Sequence, residues 1–460
     1  MKSILSISLT LLINTIFAQG SGPAFRVDTI IVTGNQKTNV GIILRELTFR
    51  KGDTIRDWNH HMEQSRKQLI NLFLFNEIDI SRDSSKVYVK VTERWYIWPS
   101  PVLDYADRNF NQWWLTRDPR RLVYGVNLEW YNIRGRNETM VVSLITGYTK
   151  MAALGYKIPY FNRKKTWGAQ FSVQYSSNRE VWYKTAAEKV QFFRDNDRVL
   201  IRRQGMELGA THRKKFFTYH YFYAGFRSIA VADTVVSDSV NRYFLIGGSI
   251  LQKESYLGYQ FTNDKRDFKG YPLKGRLVKV NAEYARITGS AASQVNTLML
   301  KLSGAKYFKV YGNLYSSFSG VLRYYNFDHA PYSKKQALGY GKEYIRGYEL
   351  SVIDGGHFAL GKAELKYRFL SKKYKFMPGV KNYEVLPMAL YWTTYWDMGY
   401  VENKGFYNGE AMQNQLPNSL QYGYGTGINV VMFYDYCLRA EYSFDKFMNS
   451  RLYVSFVASM

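Results

Sequence analysis

One cysteine, ten prolines and six histidines in 460 residues rule out several ways of building and using a chain. Cys437 stands alone, so no internal disulfide is expected to hold the fold. No cysteine closely follows the first apolar segment, and no lipid-anchored amino terminus is expected. Beyond Ala18 no stretch reaches the roughly 18 apolar residues of a spanning helix. There is no G-x-S-x-G, no H-E-x-x-H, no phosphate loop and no calcium-loop spacing. His60 and His61 are consecutive in a helical stretch, so their side chains diverge and cannot chelate one ion together. The expectation is a chain that is not an enzyme and takes no metal or cofactor.

What is present is aromatic and cationic. Forty Tyr, 28 Phe and 10 Trp favour strands. Residues 1–18 read as a secretory signal peptide: Lys2 opens it, an uncharged apolar run spans Ile4 to Phe17, and Ala18 offers the cleavage point. The formal charge of +26 is scattered through strands and turns without a single cluster, and an exported chain rarely meets nucleic acid. Turns such as NRKK (162–165) and HRKK (212–215) fit either a phosphate-bearing membrane surface or plain solvated turns.

Residues 25–93 read as a small βααββ unit. FRVDTIIVTGN is a strand ending in a Gly-Asn turn, and TNVGIILREL a helix capped by Thr38 or Asn39. The segment from Asp57 sets Met62, Leu69 and Phe73 on one helical stripe, and EIDISRD with KVYVKVTER alternates as a strand pair. About 70 residues can bury one modest core.

From 94 to 460 the pattern is one of strands about ten residues long with turn signals between them. In GKAELKYRF, Ala363, Leu365, Tyr367 and Phe369 take one face while Lys362, Glu364, Lys366 and Arg368 take the other. RLVKVNAEYA (276–285) and LRAEYSF (438–444) split the same way. A soluble sandwich also alternates, but an exported chain with Leu, Val, Tyr, Phe and Trp on its outer faces favours a closed barrel, which leaves no unpaired backbone in lipid. The fold class is mainly β, a 16-stranded antiparallel transmembrane β-barrel behind one small α+β domain. The strands start near 121, 138, 152, 166, 182, 199, 215, 255, 276, 296, 312, 357, 386, 420, 437 and 451, with RWYIWPSPVLDYA able to supply part of the first. That count makes residues 326–356 the sixth outer loop.

This loop carries YIRGYE, with Arg346, Gly347 and Tyr348 at its centre. Strand parity turns Glu364 inward, and in VLPMALYWTTYWDMGY it turns Tyr391, Thr393, Tyr395 and Asp397 inward. A guanidinium folded into the lumen meets either carboxylate bidentately; one left outside is merely solvated. The loop alone leaves both open. Gly347 fits a tight reversal and Tyr348 can pack on the inner wall.

The amino-terminal unit resembles a POTRA module, through IIVTGN, ILREL, KGD, LINLFLFNEI and VKVTER. The rest resembles the BamA/TamA family of outer-membrane assembly factors, through five motifs in order. NDKRDFKGYPLKGRLV matches the family's acidic-arginine turn (Asp264, Arg266, Asp267) leading to Pro272 and Gly275 before a strand, and YIRGYE its sixth-loop motif. DGGHFALGKAELKY, YWDMG and YGYGTGINV match the strands that follow. The resemblance implies an inward-folded sixth loop whose Arg346 latches onto lumenal carboxylates, Asp397 or Glu364, with Asp397 favoured. Family members typically carry several POTRA units where this chain has room for one, and the last strand ends in Met460 where many such barrels end in an aromatic residue.

The resemblance further implies a non-catalytic factor that inserts or translocates proteins at the bacterial outer membrane, its amino-terminal domain in the periplasm. The seam between first and last strands, near 121–131 and 451–460, would open to an incoming strand, and KVYVKV would offer the POTRA edge. Expected partners are unfolded outer-membrane or exported proteins, outer-membrane lipid or lipopolysaccharide, and accessory assembly subunits; nucleic acid is not expected. The alternatives are a dedicated secretion porin for one partner or a solute channel.

Overall fold

A computed structural model describes residues 24–106, 110–213, 216–289, 293–326, 330–375, 385–404, 414–432 and 436–458. The signal-peptide segment and Met460 lie outside the described residues, as do Lys214 and Lys215 of the HRKK turn. The chain divides into two compact units, one running to Trp95 with Arg134–Asn137, the other made of the remainder.

In the first unit a three-stranded sheet is covered by α1 (Val40–Glu46) and α2 (Trp58–Ile70). Asn39 caps α1, its side chain accepting the Gly41 N–H at 2.8 Å. Thr38 instead donates its N–H and its hydroxyl to Glu93, at 2.6 and 2.5 Å, which ties the α1 entry to the last strand. Val87, Val89 and Val91 are buried while Lys86, Tyr88 and Lys90 are exposed, the period-2 signature of a half-buried strand.

Two expectations are corrected here. Lys86–Glu93 is the centre of the sheet, parallel to Thr29–Thr33 on one side and antiparallel to Phe75–Asp83 on the other, so KVYVKV offers no free edge. Phe73 lies beyond α2, which ends at Ile70 with Asn71 as its cap; its φ of +58° takes it out of the helical stripe.

The second unit is built on one sheet of sixteen strands in which each is antiparallel to its neighbours. They are β1 (Ile97–Tyr105), β2 (Leu122–Ile133), β3 (Glu138–Gly147), β4 (Thr149–Ile158), β5 (Trp167–Asn178), β6 (Ile201–His212), β7 (Thr218–Val231) and β8 (Leu251–Asp264). Then follow β9 (Gly275–Thr288), β10 (Gln294–Tyr311), β11 (Leu314–Tyr325), β12 (His357–Lys375), β13 (Val385–Glu402), β14 (Gln421–Met432), β15 (Tyr436–Phe444) and β16 (Ser450–Ala458). Leu365, Tyr367 and Phe369 of β12 are exposed on the outer wall, while Lys366 between them is buried inside. The inversion of ordinary protein polarity is what a barrel in lipid requires.

The total of sixteen holds, but its membership changes. The first strand is Ile97–Tyr105: Pro99 and Pro101 lack N–H donors, which the end strand of a sheet tolerates and a central one does not. The strand expected near 182 leaves the sheet. Glu180–Ala186 pairs with Lys189–Arg194 as a separate hairpin, closed by Ala187 and Glu188 at φ of +48° and +58°, a two-residue turn that satisfies both arms locally. A helix not foreseen from the sequence, α3 (Phe110–Thr116), lies in the link between β1 and β2. Because one strand is gained before β6 and one lost, residues 326–356 remain the sixth link of their set, joining β11 to β12.

Candidate functional site

The inner wall behind the sixth link is laid out by register. One cross-strand row reads Ser319, Lys362, Asp397, Gly423. The next reads Ser317, Glu364, Tyr395, Gly425, Ser443, and the one after Lys366, Thr393, Gly427, Glu441. The β14 members of these three rows are Gly423, Gly425 and Gly427, which open a trough between carboxylates on β12, β13 and β15.

Arg346 fills that trough. Its Nε and Nη2 donate to the two oxygens of Asp397, at 2.9 and 2.7 Å, and its backbone N–H adds a third bond to Asp397 at 3.1 Å. Nη1 reaches Glu364 at 3.3 Å and Glu441 at 3.4 Å. The Tyr395 ring lies beneath the guanidinium, with its centroid 3.7 Å away. Lys362 sits 3.4 Å from Asp397 and Lys366 3.0 Å from Glu364, so the three carboxylates are offset by three cations at close range. Burial works against the charge on Arg346, but the Asp397 bonds and the charges of Asp397, Glu364 and Glu441 together outweigh it and keep the guanidinium protonated. Breaking such a pair by removing one partner leaves a buried charge uncompensated.

Both carboxylates offered by strand parity therefore surround Arg346, the bidentate pairing going to Asp397. Glu441 was not singled out, although the alternation of LRAEYSF already turned it inward beside Arg439 and Ser443.

Gly347 adopts φ +97°, a conformation side chains disfavour, and donates its N–H to Glu349 at 2.9 Å. Tyr348 is buried; its hydroxyl donates to Gln421 at 3.1 Å and accepts the Lys446 N–H at 3.2 Å. The Tyr453 hydroxyl of β16 donates to the Gly347 carbonyl at 3.3 Å. The tip of the link thus touches the last three strands. Burial, together with the Glu441 charge, pushes the Glu349 carboxyl up to about 8.

The base of the same link is held by a residue the sequence reading passed over. Arg323 on β11 donates to the carbonyls of Gln336, Gly355 and Gly356 at 2.7, 2.9 and 3.1 Å and stacks on Phe358. A second tie comes from the separate hairpin, whose Glu188 carbonyl accepts the Val352 N–H at 2.8 Å and whose Glu188 N–H donates to Asn414 at 3.0 Å.

From the other end of the barrel, the β8–β9 link also turns inward. Arg266 grips Asp264 with two bonds of 2.8 Å, and Asp267 accepts the N–H groups of Phe268 and Leu273 at 2.9 and 3.1 Å. Gly275 sits at φ +104°. This brace projects Tyr271 into the lumen, where it packs on Tyr391 and accepts from Asn429 at 2.9 Å. Pro272, Tyr271, Arg346 and Glu364 line a shared cavity of about 140 Å³, so the tip of the β8–β9 link and the sixth-link arginine face one another.

The remaining feature is the seam. Every consecutive pair from β1 to β16 is joined by a ladder, whereas among the described residues no ladder joins β16 back to β1. A family model described as the Omp85 superfamily domain matches residues 132–432. The chain belongs to the Omp85 superfamily. Members are non-catalytic outer-membrane β-barrels that transport or insert proteins, and this chain shares that general role and location. Its solved relatives in fold include BamA from Haemophilus ducreyi lacking POTRA domains 1–3, at 12% identity and a TM-score of 0.56 over 95% of this chain and 84% of that one. CdiB from Escherichia coli gives 13% and 0.53 over 97% and 93%, and CdiB from Acinetobacter baumannii 12% and 0.52 over 94% and 73%. At such identities the likeness shows the fold alone. No curated protein matches the chain.

Proposed function

We propose that this Omp85 protein inserts unfolded outer-membrane proteins by opening the seam between β1 and β16, with the Arg346-centred sixth loop as the internal latch that holds the last strands in place. The carrying observation is that, among the described residues, no ladder joins β1 to β16 in a sheet whose other neighbouring strands are all paired. A strand edge that no ladder covers can template an extended segment, and main-chain hydrogen bonds supply the affinity. The corrected seam runs along Ile97–Tyr105 and Ser450–Ala458. The first unit serves as a single POTRA-type domain in the periplasm, where Thr29–Thr33 and Phe75–Asp83 are its edge strands. By this reading the chain is a short, one-POTRA relative of the BamA/TamA group, and outer-membrane lipid or lipopolysaccharide surrounds its aromatic outer wall.

A dedicated secretion porin is the second reading. The lumen counts against an open solute channel, because the sixth loop and Tyr271 enter it from opposite ends. The seam is tested with cysteines introduced at Leu103 and Leu452, both exposed, in the full-length protein reconstituted in liposomes. Joining them with a thiol crosslinker is expected to abolish folding of an added outer-membrane barrel client, followed as heat-modifiable mobility, and cleaving the linker to restore it. Unchanged client folding in the crosslinked protein would refute the seam.

A further inference from the structure

The contacts of helix α3 fall on both sides of the seam. Trp113 stacks on Tyr105 of β1, with ring centroids 6.4 Å apart and planes within 24°. Two residues earlier, the Asn111 side chain engages β16. The Val454 N–H donates to Asn111 Oδ1 at 3.0 Å, and Asn111 Nδ2 donates to the Val454 carbonyl at 3.3 Å.

This pair of bonds has a specific meaning. In an antiparallel ladder, opposed residues exchange an N–H and a carbonyl with each other. A primary carboxamide carries one acceptor and an N–H donor in the same plane, so it reproduces the hydrogen-bonding face of one residue of a paired strand. The N–H and carbonyl of Val454 are used by Asn111, although Val454 stands opposite Ala440 in the β15–β16 register. They therefore belong to the edge that faces away from β15. The preceding residue, Tyr453, is held from within the lumen by the Gly347 carbonyl of the sixth loop. Consecutive residues of the last strand are thus fastened by two separate links, one inside the barrel and one along its edge.

We propose that Asn111 is a built-in occupant of the β16 edge, standing where the backbone of an entering strand pairs, and that α3 is a strap across the seam which a client displaces to begin insertion. The inference rests on the proposed seam reading. A client strand that builds a ladder along Ser450–Ala458 forms several main-chain bonds, whereas Asn111 supplies one residue's worth. The strap therefore excludes short or poorly extended segments and yields to a full strand. An edge left bare in a hydrophobic sheet is a self-association hazard, which gives the occupant a second use in the resting protein.

The test uses full-length protein in liposomes, its barrel checked by heat-modifiable mobility. The probe is a synthetic peptide with the sequence of residues 450–460 and a photoreactive group at the position of Leu452. Spin labels at Leu103→Cys and Leu452→Cys report the seam distance without any client. Asn111→Ala is expected to broaden that distance distribution and to raise peptide capture about tenfold, the scale of two neutral hydrogen bonds. Asn111→Asp, which keeps the acceptor and loses the donor, is expected to fall between. Equal capture by wild type and both variants, with an unchanged seam distance, would overturn the strap while leaving the seam reading intact. A broadened distance with no capture by any form would overturn client entry at this edge, and with it the seam reading.

Discussion

Gly423 and Arg346 meet backbone to backbone: a Cβ on Gly423 would lie 1.9 Å from the Arg346 carbonyl oxygen. The sixth loop can lie against β14 only because that wall position has no side chain. Gly423→Ala is therefore expected to lift the loop, exposing it to added protease and lowering client insertion while the barrel stays heat-modifiable. Gly320→Ala is the control, since a Cβ there would meet its nearest neighbour at an ordinary 3.4 Å. Equal protease resistance in both variants would refute the close-approach argument.

Removing the guanidinium should cost more than losing its hydrogen bonds. Arg346→Ala leaves Asp397 fully buried, and the expected loss of loop stability is about 3–5 kcal/mol. Arg346→Lys keeps the charge but not the fork, so it should be intermediate. Asp397→Asn added to Arg346→Ala should recover part of the loss, because the orphaned charge is then gone. Thermal unfolding of the wild type, Arg346→Ala, Asp397→Asn and the double variant, with limited proteolysis of the loop, measures this cycle, and strictly additive losses would argue against the pairing as an energetic unit.

Glu349 makes the loop pH-sensitive. Its folded-state value, about 8, lies above that of an ordinary glutamate. The unfolded state therefore releases its proton first, and the stability from burying the neutral carboxyl is fully present below the ordinary glutamate range and lost as pH rises through about 8. Protease protection of the sixth loop is expected to be weaker at pH 9 than at pH 6, and Glu349→Gln should flatten the difference. A loop equally protected at both pH values in the wild type would count against it.

The two inward-folded links predict a lumen closed in two places. Tyr271→Ala and Arg346→Ala should each raise single-channel conductance in planar bilayers modestly, and together by more than the sum. If the wild type already shows large, steady openings that neither substitution alters, the lumen is open and the channel reading gains.

How much of this was legible before any tertiary structure depends on the range of the signal. The alternation in GKAELKYRF and YWDMG placed Glu364, Asp397 and Tyr395 on the inner wall, since which side a strand residue faces is decided by its immediate neighbours. Glu441 obeys the same rule in LRAEYSF and was available to it. Arg323 was not: its three acceptors are backbone carbonyls, which leave no mark in a sequence. Pro99 and Pro101 obscured the first strand because their tolerance depends on its having one partner rather than two. EVWYKTA reads as a barrel strand by pattern, and only its short turn at Ala187 and Glu188 sends it out of the sheet.

The sequence by itself determined the period-2 strands, their apolar outer faces and the long link that carries Arg346, which follow from short-range alternation and turn chemistry; the total of sixteen matched because a strand counted near 182 stood in for Ile97–Tyr105. Tertiary structure alone decided which strands stand at the seam, which carboxylate grips Arg346 with both oxygens, that KVYVKV lies at the centre of its sheet, and that Asn111 reaches Val454 from 343 positions away. Those outcomes depend on pairing between distant segments and on which backbone groups closure leaves over, quantities that no window of neighbouring residues contains.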